Sequence, residues 1–140
     1  MGIDTTEMMP LLLEACPSLI PAWDEWQNEF RDDPDGPPLF TFLHEVASVL
    51  EQMLADGDEA GIRRVFDLVE RFNVEGDRDV QMYATLGIIE NAQSLAAMED
   101  GDMVAIGPRF YGYLGPVSKT RWDRVEAMWA GTLDGEDLYA

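Results

Sequence analysis

Between Leu39 and Ala55 the residues Phe40, Leu43, Val46, Ala47, Leu50, Met53 and Leu54 recur three and four positions apart. That spacing lines one face of an α-helix and cannot serve a half-buried strand, whose apolar positions alternate. Asp56-Gly57 then interrupts the stripe, and Asp58 opens another made of Ile62, Val65, Phe66, Val69 and Phe72. Glycine supplies the left-handed residue that ends a helix, and an aspartate just after it can accept from the free N–H groups of the next. Glu75-Gly76-Asp77 repeats the stop-then-start pattern. Amphipathic helices joined by such short turns pack as antiparallel hairpins.

The rest of the chain reads the same way, which predicts an all-α fold: a compact bundle of about six helices joined by tight turns. HEAT- or armadillo-like stacking of hairpins is the open alternative. The first helix runs from Thr5 to Cys16 with Asp4 or Thr5 as N-cap, and Pro17 ends it. Ser18 caps a second helix carrying Trp23, Trp26 and Phe30, and the proline- and aspartate-rich stretch Arg31 to Pro38 is a loop. A fifth helix from Asp79 to Met98 is apolar on more than one side, which marks it as central. Its Gly87 costs about 1 kcal/mol of helix propensity and so points to close approach by a neighbour. Glu99-Asp100-Gly101-Asp102 opens an irregular segment, followed by an aromatic turn from Arg109 to Tyr113. Pro116 begins a last helix with Trp122, Val125 and Trp129 on one stripe, and Gly131 stops it. Residues 1–131 therefore read as one domain and 132–140 as a frayed acidic tail.

Composition then removes whole classes of function. The 140 residues include 28 Asp or Glu against 9 Lys or Arg, a formal charge of −19. That sign is wrong for direct binding to nucleic-acid phosphates, and no apolar run reaches the ~20 residues of a membrane span. One cysteine and one histidine build neither a disulfide framework nor a Cys/His zinc site, so no metal or other cofactor is expected. The start of the chain lacks the basic residues of a secretory signal, although Met1-Gly2-Ile3-Asp4-Thr5-Thr6 matches the loose acylation pattern without a second anchoring signal. A cytoplasmic location is the expectation.

The charge is lopsided. Residues 1–62 hold 14 acids and one base, while residues 63–140 hold 14 acids and eight bases. Asp32, Asp33 and Asp35 with Asp56, Asp58 and Glu59 are the candidate partner-binding clusters, because a concentrated anionic face speeds encounter with a cationic partner. A solvated acidic surface of the halophile kind is the competing explanation. Asp56 to Asp67 fails as a calcium loop, since Ala60 stands where a ligand is needed and Asp67 where a bidentate glutamate belongs. His44 has no nucleophile motif beside it, and Cys16 sits at a helix C-terminus, where the dipole disfavours a thiolate. No catalytic residue is assigned. Glu90, Asn91 and Gln93 interrupt the apolar fifth helix and suggest a buried polar network, with Arg63, Arg64 and Arg71 as possible partners. The tryptophans read as core, and Tyr111 and Tyr113 are the aromatics best placed for exposure.

Several strings resemble an uncharacterised bacterial family of small acidic helical proteins. They are Leu13-Glu14-Ala15-Cys16-Pro17, Pro21-Ala22-Trp23, Val65-Phe66-Asp67-Leu68-Val69-Glu70, Glu75-Gly76-Asp77 and Ala84-Thr85-Leu86-Gly87 with Glu90 and Gln93. Tyr113-Leu114-Gly115-Pro116 followed by Ser118, Trp122 and Trp129 completes the set, which covers about residues 11–131. The resemblance extends to toxin-immunity proteins and implies a small non-enzymatic binder, with no binding residues attached. Together with the charge map it yields the expected function: an interaction module, immunity- or antitoxin-like, that inhibits a basic toxin or enzyme through its acidic face. Two alternatives stand beside it: a DNA mimic that regulates a nucleic-acid-binding protein, and a small-ligand binder or enzyme with a polar cleft on the central helix. Oligomeric state is not legible in these residues.

Overall fold

Helix α5 (Glu59–Glu75) carries the apolar face on which most of the other elements pack. Asp58 begins it by accepting Gly61 N at 2.9 Å, a cap of the kind that contributes about 1 kcal/mol. Ile62, Val65, Phe66, Val69 and Phe72 then fall on one side and are all buried. The computed structural model describes residues 2–139; Met1 and Ala140, the outer ends of the domain and tail read from the sequence, lie outside the described residues.

Around α5 stand α1 (Thr5–Ala15), α2 (Ile20–Glu29), the short α3 (Leu39–Phe42) leading into α4 (His44–Asp56), the rod formed by α6 (Arg78–Met82), a π-helical stretch (Tyr83–Ile89) and α7 (Glu90–Gln93), and finally α8 (Pro116–Trp129). The architecture is an all-α bundle of six rods. The core joins Leu12, Leu19, Phe42, Leu50, Phe66, Phe72, Ile88 and Phe110 in one cluster.

Helix ends follow local chemistry in several places. Asp4 caps α1 and exchanges bonds with Glu7 in a capping box. Gly57 ends α4 at φ 71° and Gly131 follows α8 at φ 78°, both left-handed. Gly76 differs: its backbone is extended, and an added Cβ would lie 2.3 Å from Phe72 O and 2.4 Å from Val80 Cγ1. Glycine stands there for space rather than for handedness. The same point receives the N-terminal segment, where Ile3 N donates to Glu75 O at 2.8 Å and Asp77 N to Ile3 O at 2.9 Å.

The structure corrects four local expectations. Ser18 does not cap α2; it lies in a 3-10 turn (Pro17–Leu19) that leads into it. The predicted third helix breaks at Leu43 between α3 and α4. The fifth helix is widened in its middle by the π-helical stretch, where Gly87 admits Leu43 (an added Cβ would sit 2.7 Å from Leu43 Cδ1), and it ends at Ser94 rather than Met98. Strand β1 (Ala96–Glu99) follows and pairs antiparallel with β2 (Asp102–Ala105) across Asp100 (φ 51°) and Gly101 (φ 85°). Two successive positive φ values make the tight turn that an Asp-Gly pair favours between twisted strands. A 3-10 segment (Gly107–Tyr113) carries the aromatics onward, tied to the hairpin by Arg109 and Glu99 at 2.6 and 2.8 Å.

Residues 132–139 of the acidic tail are not frayed. Gly135–Tyr139 forms a 3-10 turn against α8, Leu138 is buried, and Arg124 donates to Leu138 O at 3.3 Å.

Candidate functional site

Asp56 and Asp58 share one groove. Its floor is Val49 and the buried Met53, its rim is Ser18, Ser48 and Gln52, and its volume is about 420 Å³. No Lys or Arg lines it. Gln52 Nε2 donates to Asp56 Oδ1 at 2.9 Å, which holds that carboxylate at the rim, while Asp58 uses Oδ1 on its helix cap. Glu59 is exposed on the first turn of α5 beside them.

Asp32, Asp33 and Asp35 lie in the loop between α2 and α3 and are exposed. Asp33 shapes that loop, since its Oδ1 accepts Asp35 N at 2.9 Å. The loop leads through α3 into the start of α4, whereas Asp56 and Asp58 lie at its end, and the 13 residues of α4 span about 20 Å. Helix α2 connects the loop and the groove. It leaves the groove beside Ser18 and reaches the far end where Trp26 Nε1 donates to Pro38 O at 3.2 Å and Trp23 and Trp26 pack on Phe42. No residue of α2 is fully buried, and Asp24, Glu25 and Glu29 are exposed on it. Sequence reading passed over these three acids. The signal for them was the helix face opposite Trp23 and Trp26.

Glu90, Asn91 and Gln93 do not gather into a cleft. Glu90 is half-buried, Asn91 Nδ2 donates to Gly87 O at 2.7 Å within its own rod, and Gln93 Nε2 donates to Trp122 O at 3.1 Å. None of the three arginines proposed for them takes that role: Arg63 lies over the Tyr113 ring, Arg64 donates to Ala15 O and Arg71 pairs with Glu75.

The buried polar network is built from other residues. The Glu70 carboxylate enters the N-terminus of α8, accepting Val117 N at 3.1 Å, Ser118 N at 2.8 Å and Ser118 Oγ at 2.8 Å. Gly115 makes room, since an added Cβ would lie 2.4 Å from the Glu70 carboxyl carbon. Asn73 Nδ2 then donates to Ser118 Oγ at 3.2 Å, and Thr85 Oγ1 to Asn73 Oδ1 at 3.3 Å. The strings ending in Glu70, containing Thr85 and running from Tyr113 to Ser118 therefore meet in space. What they share is one hydrogen-bonded spine joining α5, the π-helical stretch and α8.

His44 opens α4, with Nδ1 on Thr41 O and Nε2 3.1 Å from Glu45. Cys16 is buried at the end of α1 with Sγ 3.5 Å from Ser18 Oγ. Tyr111 and Tyr113 are half-buried, and Tyr111 packs edge-on against Trp122 under Lys119. Trp122 is core, but Trp129 is half exposed and leaves the stripe assigned to it. Among the described residues no helix is long and apolar enough to cross a membrane, and no three His, Cys, Asp or Glu side chains are grouped to hold a metal ion.

No curated protein and no solved structure matches the chain significantly. A family model does, over residues 9–130, which takes in the spine, the groove and α2. The chain belongs to the family described as Domain of unknown function (DUF7674).

Proposed function

We propose that the chain is a non-enzymatic interaction module that receives a basic protein along the strip from Asp32, Asp33 and Asp35, past α2, to Asp56, Asp58 and Glu59. The observation carrying this reading is the groove: two carboxylates above an apolar floor with no cation of the chain's own beside them. A lysine or arginine side chain is amphipathic in the same sense, with a methylene stem for Val49 and Met53 and a charged head for Asp56 and Asp58. Exposed carboxylates on the loop and on α2 would steer the partner and set a salt-dependent on-rate. An immunity-like protein would inhibit a toxin or enzyme by covering its basic active-site surface in this way.

The test takes a partner captured from the native host and measures its affinity after purification. Asp32→Lys with Asp35→Lys at one end, and Glu59→Lys with Asp58→Asn at the other, reverse or remove charge while Asn keeps the α5 cap. Each pair is expected to weaken binding at least tenfold, and raising salt several-fold should act in the same direction. Affinity indifferent to both changes would refute the reading. Loss of the partner's activity on binding separates an inhibitor from a passive scaffold, and competition with DNA would move the reading to a mimic.

A further inference from the structure

Beneath the segment 132–139 lies a group of charges that the acidic strip does not use. Tyr139 places its ring centroid 4.4 Å from Arg78 Cζ and 4.8 Å from Arg121 Cζ. Arg121 is only 7% exposed and donates Nη2 to a neutral acceptor, Gln81 Oε1, at 3.0 Å. Its Nη1 is buried without a hydrogen-bond partner, as is the Tyr139 hydroxyl. A buried guanidinium is ordinarily matched by a carboxylate, because an unpaired buried charge is costly. This chain has 28 carboxylates to offer, yet among the described residues neither Arg78 nor Arg121 forms an ion pair. Glu70, whose charge also acts on Arg121, is committed to the N-terminus of α8.

We propose that Arg78 and Arg121 form a binding site for a compact oxyanion of the phosphate class, and that the segment 132–139 is its plug. Charge-assisted N–H···O bonds of 2.7–2.9 Å put the central atom of an oxyanion about 4 Å from a guanidinium carbon. The Tyr139 ring centroid occupies that position for both arginines at once. A tetrahedral dianion can accept from two forks simultaneously, which a single carboxylate does less well. It would also supply Arg121 Nη1 with the acceptor it lacks. Leu138 is the plug's one buried apolar side chain, Arg124 bonds the Leu138 carbonyl, Thr132 bonds Ala127 O at its root, and Gly131 at φ 78° marks where it leaves α8. Binding exchanges two cation–π contacts for charge-assisted bonds and releases the segment. The site draws on none of the acidic-strip residues, so it stands or falls separately from that reading.

Calorimetric titration of the full chain with sodium pyrophosphate and with inorganic phosphate, at constant ionic strength, tests the proposal. Tyr139→Ala should bind pyrophosphate at least tenfold more tightly than the unaltered chain, and adding the exposed Arg78→Gln should cancel that gain. Equal affinity in the unaltered and Tyr139→Ala chains, or binding that survives Arg78→Gln, would overturn it. Should Tyr139→Ala fail to fold, limited proteolysis of the unaltered chain decides. Saturating pyrophosphate should speed cleavage within 132–139, and not in Arg78→Gln; cleavage unchanged by pyrophosphate refutes the plug.

Discussion

Replacing Glu70 by alanine should be among the most damaging single changes outside the apolar core. Its carboxylate accepts three hydrogen bonds, at 2.8, 2.8 and 3.1 Å, two of them from backbone N–H groups at the start of α8. Those N–H groups have no other cap, since Gly115 at the N-cap position carries no side chain. Losing a helix cap costs about 1 kcal/mol. Each further donor left buried without an acceptor adds about 1–3 kcal/mol. Ser118 is fully buried and loses both its bonds to Glu70, so the sum is about 3 kcal/mol, the low end allowing a water to enter beside Gly115. For 140 residues the unfolding entropy is about 0.3 kcal/mol per degree, so Tm should fall by about 10 °C. Glu70→Gln keeps one acceptor but turns an NH₂ toward a donor, and should lose about half as much. Thermal and urea unfolding followed by tryptophan fluorescence would measure both. The double variant with Ser118→Ala should be non-additive by at least about 1 kcal/mol. An Asp67→Ala control on the exposed side of the same helix should stay within about 0.5 kcal/mol. If Glu70→Ala costs less than about 1 kcal/mol, or adds to Ser118→Ala without coupling, the spine is not what joins α8 to the bundle.

Gly107→Ala should destabilise by about 2 kcal/mol or more, because the new Cβ would lie 2.2 Å from Gln93 O, a backbone atom that cannot yield. Gly112→Ala, with nothing within 4 Å of its Cβ, should be neutral in the same denaturation assay. Burial pushes the Tyr139 phenol above its ordinary value of 10.0, despite the opposing pull of Arg121 and Arg78. The folded value being the higher one, the stability it lends is fully present below pH 10 and is lost as pH rises through the folded value. Phenolate absorbance should therefore show late-ionising tyrosines, one of which is lost in Tyr139→Phe while Tyr111, also pushed up by burial and by Asp123, remains; an early-ionising Tyr139 would contradict the packed segment.

Helix boundaries were legible where one residue decides them. Asp58 and Gly57 act through their own carboxylate and their own φ, so reading residues one at a time suffices. The break at Leu43, the π-helical stretch and the early stop at Ser94 depend on what packs alongside, which periodicity does not report. Ala96, Ala97 and Met98 favour helix over strand by intrinsic preference, and they continued the apolar pattern past the true end. Asp100-Gly101 was nonetheless a readable hairpin signal, outweighed by that run. Within the candidate site, Asp56, Asp58 and the 32–35 loop were visible as charge. Their connection through Asp24, Glu25 and Glu29 was not, because it needs the direction in which α2 lies. Asn73 gave no signal, since a polar residue one step beyond an apolar stripe looks like ordinary surface until Ser118 and Thr85 arrive from distant parts of the chain.

The way the chain uses its few cations bears on both proposed sites. Arg63, Arg78, Lys119 and Arg121 lie over tyrosine rings, and Arg31 and Arg64 bond to Asn28 and to a backbone carbonyl. A cation on a ring gains from the quadrupole without neutralising any carboxylate. The strip formed by the loop, α2 and the groove thus sets Arg31 alone against its carboxylates, and at −19 overall its field extends over a Debye length of about 8 Å at physiological salt. The same economy leaves Arg121 buried without an acid of its own, in a molecule that repels anions almost everywhere else. An anion that reaches Arg78 and Arg121 would therefore be selected by local geometry against the general field, whereas a basic protein of the proposed kind would be drawn to the strip by that field before any contact forms. Selectivity at the first site and speed at the second follow from one distribution of charge.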